Sequence, residues 1–208
     1  MVRLSVCTVA LIVFAAASST AMAQQVATVP KETAQVYGLL MTKTAAEIEN
    51  PQVEVEGDPS KTIALALLEM DGGVLLVPQT DLKEEPMRQA TGPNGVPLGL
   101  LFSSPNLVPV IDGKAVAREQ LHCLNVDDGV GVSKTNCMLL SVRKMPGKEY
   151  RLYGYGKAAK PLIDVKFTAV SDAAKQPVAL EIKTDEPPQV VITMFGKYQA
   201  KFPGAVTE

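Results

Sequence analysis

The chain has 208 residues, with 20 Lys and Arg against 22 Asp and Glu and a single histidine. A weakly acidic protein without basic runs is a poor partner for nucleic acid or for an anionic membrane surface. One histidine, His122, excludes any zinc site built on two or three histidines.

Met1, Val2 and Arg3 make a short positive start, residues 4–17 form an apolar run, and Ala21, Met22 and Ala23 supply a small-x-small cleavage site before Gln24. This three-part layout reads as a secretory signal peptide over 1–23. The run is shorter than the roughly 20 residues that span a bilayer. Cys7 lies inside it and is discarded with it. The leader carries one charge, Arg3, which leaves a mature chain of 185 residues with a net charge of −3. No later stretch is long and apolar enough to be a transmembrane segment. The expected location is periplasmic or secreted, and the lack of an Asn-x-Ser/Thr sequon favours a bacterial envelope.

Residues 24–31 are polar and read as a flexible start. Over 32–49, Tyr37, Leu40, Met41, Thr44, Ala45 and Ile48 share one face of a helix that Pro51 would stop. A strand over 35–42 is the alternative. From residue 53 the signals are β. Residues 62–70 are nearly all apolar, as in a strand buried on both faces, and Asp71-Gly72-Gly73 turns the chain into 74–78. The polar stretch 82–94, broken by Pro86, Gly92 and Pro93, is the one place for a sub-boundary in an otherwise single domain over 32–208. Residues 96–102 follow as a strand, then 107–111 and 114–117 pair across Asp112-Gly113. Pro109 implies that 107–111 is an edge strand, which could assemble with another chain.

Cys123 and Cys137 are the two cysteines of the mature chain. In an oxidising compartment an even pair reads as a disulfide. Residues 121–126 and 135–140 look like two strands around a turn-rich loop. Pairing Val126 with Lys134 sets Cys123 opposite Cys137, and the bridge would close a loop of about 15 residues, worth roughly 3 kcal/mol. His122 then faces away from Cys123 on a solvated or satisfied strand face. Asp127 and Asp128 sit in a loop whose spacing does not fit a calcium site, and they read as turn residues.

Further strands are expected over 138–143 and 150–155, around the Met145–Lys148 turn, and over 163–170, 177–184 and 189–195. Val178, Leu180 and Ile182 should point inward. In the strand over 150–155, Arg151, Tyr153 and Tyr155 share a face, the most site-like surface in the chain, fit to stack on a carbohydrate or anchor a protein partner. Together the period-2 patterns predict a mainly β fold, an antiparallel sandwich or barrel-like domain with one short N-terminal helix. The functional expectation is an exported binding or interaction protein with neither cofactor nor catalytic centre. Two alternatives stand beside it: an envelope hydrolase using scattered Asp and Glu, and a structural subunit that assembles through its edge strand.

Overall fold

The computed structural model describes residues 26–68, 72–171, 176–184 and 187–207. The predicted leader and the turn residues Asp71, Asp185 and Glu186 lie outside them. In chain order the elements begin with β1 (Val26–Thr28), helix α1 (Lys31–Ala45), β2 (Ile63–Leu67), β3 (Gly72–Pro78), the short helix α2 (Glu84–Arg88) and β4 (Val96–Ser103). Then come β5 (Leu107–Ile111), β6 (Lys114–Ala115), β7 (His122–Asp127), β8 (Val132–Lys144) and β9 (Tyr150–Tyr155). The chain continues through β10 (Ile163–Lys166), β11 (Thr168–Ala169), β12 (Val178–Lys183), β13 (Gln189–Met194) and β14 (Tyr198–Val206).

The fold is mainly β, with two antiparallel sheets in a sandwich-like arrangement. One sheet runs β1-β2-β3-β4-β8-β9-β10, and the other runs β12-β13-β14-β5-β6. Two long strands organise them. The first half of β8 pairs with β7 and the second half with β9, both on one edge, while β4 takes the other. Likewise β14 pairs along one side with β13 and along the other with β11 and β5. Alternating side chains of the first sheet therefore feed two separate cores. Leu65, Val74, Leu76, Leu101, Leu140 and Leu152 meet Leu180, Ile192, Met194 and Phe202 between the sheets. Ala64, Leu75, Val77, Leu100, Phe102 and Leu139 face outward beneath α1 and the segment carrying Ile48, Val53 and Val55. Burial on both faces explains the near-continuous apolar runs of β2, β3 and β4.

The predicted strands form, with informative differences. Asp112 and Gly113 both take positive φ, at 50° and 75°, the two-residue hairpin that the Asp-Gly pair predicts. The expected strand over 163–170 divides: β10 pairs with β9, β11 pairs with β14, and buried Phe167 lies between them. One apolar stretch thereby crosses from one sheet to the other. Val26–Thr28, read as part of a flexible start, pairs with β2. Strand β5 is not an edge strand. β14 flanks it on one side, β6 on the other, and the Pro109 carbonyl accepts the Val116 N–H at 2.9 Å. Pro109 sits at the far end of the short β5–β6 ladder, where its ring removes one donor while its carbonyl still accepts a bond.

Helix α1 forms as predicted, but its docked face is rotated. Ala34, Gly38 and Ala45 are buried, Met41 and Ile48 pack at the margin, and Tyr37 is 43% exposed. Small residues make this seam because the helix lies close to its support: a Cβ on Gly38 would stand 2.0 Å from Thr62 Oγ1. No described helix is long and apolar enough to cross a membrane.

Candidate functional site

Two hollows flank α1 where it lies on the first sheet. A groove of about 470 Å³ runs along the Tyr37/Met41 flank of the helix, over Ala64, Ala66, Leu75 and Phe102. A second hollow of about 330 Å³ lies under the C-terminal end of α1, lined by Ile48, Val53, Leu100 and Leu139, and also by Thr42, whose buried hydroxyl has no partner. Both volumes fall within the range of small-molecule pockets. They exist because α1 touches the sheet through Ala34, Gly38 and Ala45, which are too small to fill the space on either flank.

The groove is chemically quiet. Its serine and threonine hydroxyls are already committed: Ser104 accepts the Gly73 N–H at 2.7 Å, Thr135 donates to the Ser103 carbonyl at 2.9 Å, Ser103 donates to the Leu107 carbonyl at 2.8 Å, and Ser133 donates to the Val126 carbonyl at 3.5 Å. Lys134, the one charged residue of the lining, alternates onto the opposite face of β8 from Ser133 and Thr135. The surroundings add exposed apolar side chains. Tyr37, on the groove side of α1, is 43% exposed, and Leu68, which follows β2, is 58% exposed.

The predicted Arg151, Tyr153 and Tyr155 face is not an open stacking surface. Tyr153 and Tyr155 are 5% and 1% exposed and belong to the core beneath α1, their rings edge-to-face at 6.1 Å. Arg151 is tied to Glu149 and Asp164, and Glu149 also pairs with Lys166 at 2.8 Å. Alternation was read correctly, but the tyrosines on the face it defines are covered on the α1 side of the sheet.

The expected cysteine pairing is corrected by one residue of register. β7 and β8 set His122 opposite Cys137 and Cys123 opposite Asn136, with Val126 opposite Ser133. Both thiols are free, Cys123 exposed and Cys137 buried. A one-residue slip turns every side chain of a strand to the other face. The connection here is the four-residue loop 128–131, in which Asp127 accepts the Gly129 N–H and Asp128 accepts those of Val130 and Gly131. These carboxylates are spent on the turn, as their residue types suggest. Cys137 sits in an apolar core, and burial pushes its thiol well above the ordinary range.

His122 faces away from Cys123, but it is buried and only partly satisfied. Its Nε2 has no partner, and burial holds its pKa below the usual value against a hydrogen bond with the Gly156 backbone. Asp58, Glu84, Asp128 and Glu149 are all held below the usual carboxylate range, led respectively by Ser60, Lys197, the Val130 backbone and Lys166. A general acid requires the opposite displacement. Among the described residues, no three His, Cys, Asp or Glu side chains gather as a metal site would require. No family model, curated protein or solved structure matches this chain.

Proposed function

We propose that this chain is an exported, non-catalytic binding protein that holds the hydrocarbon chain of an amphiphile in the groove between α1 and the first sheet. The leader-like N-terminus supports a periplasmic or secreted location. The observation that carries the reading is the groove itself: about 470 Å³ over an apolar floor, with its serine and threonine hydroxyls already satisfied.

Backbone chemistry selects the occupant. An extended peptide binds by adding to free N–H and C=O groups at a sheet edge. The strands under this groove, β2, β3 and β4, each pair with a neighbour on both sides and leave no such row. A sugar would require several unengaged hydrogen-bonding side chains, and among the lining hydroxyls only that of Tyr37 is unengaged. A hydrocarbon chain requires neither. Each buried methylene contributes about 0.8 kcal/mol, so ten would contribute about 8 kcal/mol, equivalent to a dissociation constant on the order of 1 µM before ordering costs.

The test is displacement of the neutral fluorophore N-phenyl-1-naphthylamine by saturated fatty acids of increasing length. The reading expects saturable probe binding and affinity that rises with chain length. Ala66 shares the helix-side face with Ala64 and is only half-buried, so Ala66→Phe should fill the floor without overpacking a core and weaken binding about tenfold or more. Lys201→Ala, on the exposed outer face of the second sheet, should change nothing. Affinity independent of chain length, or unaltered by Ala66→Phe in a folded protein, would reject the proposal.

A further inference from the structure

Arg143 is an unusual cation in this protein. It is half-buried near the end of β8, its Nη1 donates to the Tyr153 hydroxyl at 3.4 Å, and its Nε is buried with no partner. Among the described residues no carboxylate pairs with it. Its cross-strand neighbour makes the contrast plain. Arg151 stands directly opposite, and that guanidinium is matched by Glu149 and Asp164. Glu149 is in turn engaged by Lys166, so the nearby acids are already committed.

Two arginines opposed on one sheet face repel each other, and a buried donor left unmatched is costly. Such an arrangement persists when something else supplies the missing charge. Space for it is present. A cleft of about 450 Å³ opens beside Arg143, lined by Thr91, Lys144, Met145, Pro146 and Gly147, and no lining residue is acidic. Lys144 lines the cleft, but its side chain alternates onto the opposite face of β8, where its ammonium donates to the Arg88 carbonyl at 2.7 Å. The cleft is held open by the backbone: Lys144 donates its N–H to Ala90 at 2.8 Å, Met145 donates to Glu149 at 2.7 Å, and Gly147 takes a φ of 85° that suits glycine.

The geometry points to a second binding site, independent of the apolar groove, in which Arg143 takes an oxyanion, the carboxylate or phosphate group of a small solute. A guanidinium presents a planar fork that matches both groups, and the Tyr153 hydroxyl holds that fork in place.

The experiment uses the mature, 15N-labelled protein. Sodium phosphate and sodium acetate are titrated separately at constant ionic strength, with sodium chloride as the reference, while the Arg143 Nε–H resonance and the backbone amides of 91 and 144–147 are followed. The inference expects saturable shifts confined to those resonances. Arg143→Met should abolish saturation, and Arg143→Lys, which keeps the charge and loses the fork, should weaken binding on the order of tenfold. A phosphate response without an acetate response assigns a phosphate ligand, and the reverse a carboxylate. Shifts that stay linear, spread over surface lysines, or are reproduced by chloride overturn the inference. If Arg143→Met does not fold, Arg143→Lys decides alone, and unchanged binding in it overturns the inference equally.

Discussion

Replacing Gly38 by alanine sets two physical effects against each other. In a helix interior, alanine is favoured over glycine by about 1 kcal/mol. The docked position of α1 opposes that gain. A Cβ at residue 38 would lie 2.0 Å from Thr62 Oγ1 and 3.0 Å from Thr62 Cβ. Thr62 is 7% exposed and branched at Cβ, and its hydroxyl donates to the Pro59 carbonyl at 2.8 Å. It has little freedom to rotate away. Overpacking of this kind costs about 1–3 kcal/mol, and a rigid, bonded neighbour places this case in the upper half. The expected net effect of Gly38→Ala is a destabilisation of about 1–2 kcal/mol, read as a lowered urea midpoint with an unchanged m value. A double-mutant cycle with Thr62→Ala isolates the contact, because removing Oγ1 should return about 1 kcal/mol or more of coupling. A raised midpoint for Gly38→Ala would refute the close approach of α1, and with it the small-residue seam that leaves the groove open.

Three further outcomes follow from the same geometry. In native protein, thiol labelling should modify Cys123 quickly and spare Cys137 until urea unfolds the chain, because Cys137 is fully buried and its thiolate is disfavoured; no labelling of native protein would instead indicate a bridge. His122 is held neutral by burial, so its folded pKa lies below its unfolded one. Its contribution is therefore complete above the unfolded value of about 6.5 and is lost as pH falls through the folded value. Urea midpoints should drop between pH 8 and pH 5, and His122→Gln should flatten that part of the profile. Millimolar calcium or EDTA should leave the melting temperature unchanged, since Asp127 and Asp128 already accept turn N–H groups; a calcium-dependent rise would reject that assignment.

Much of the β architecture was legible because it depends on local chemistry. Period-2 alternation placed Val178 and Leu180 inward, and Asp112-Gly113 specified a hairpin through its tolerance of positive φ. The bifacial burial of β2 could be read from its unbroken apolar run. Strand β14 was missed because Lys201, Pro203 and Gly204 interrupt its pattern. The structure accommodates them: Lys201 lies on an exposed face, and the Gly204 N–H is bonded to the Pro188 carbonyl at 2.8 Å. The candidate site was largely hidden. A groove flanking a helix arises from what Ala34, Gly38 and Ala45 fail to fill, and small residues leave no apolar stripe that periodicity would flag. Arg143 carried no signal either, since an unmatched charge becomes visible only when the acids around it are counted in space.

By itself, the sequence determined the strand-rich class, the short N-terminal helix, most strand positions and the parity of side chains along each strand. These properties are set within a few residues, by alternation, turn chemistry and φ preferences. Only the tertiary structure decided which parity faced which neighbour. The alternation that joined Arg151, Tyr153 and Tyr155 was right, yet the covering helix made the tyrosine face interior. The strands that carry Cys123 and Cys137 formed, yet a four-residue turn shifted their register by one and separated the thiols. Register and layer order are set by loop closure and by packing between segments distant in the chain. A difference of one residue there decides whether two side chains meet, at almost no cost to the local pattern.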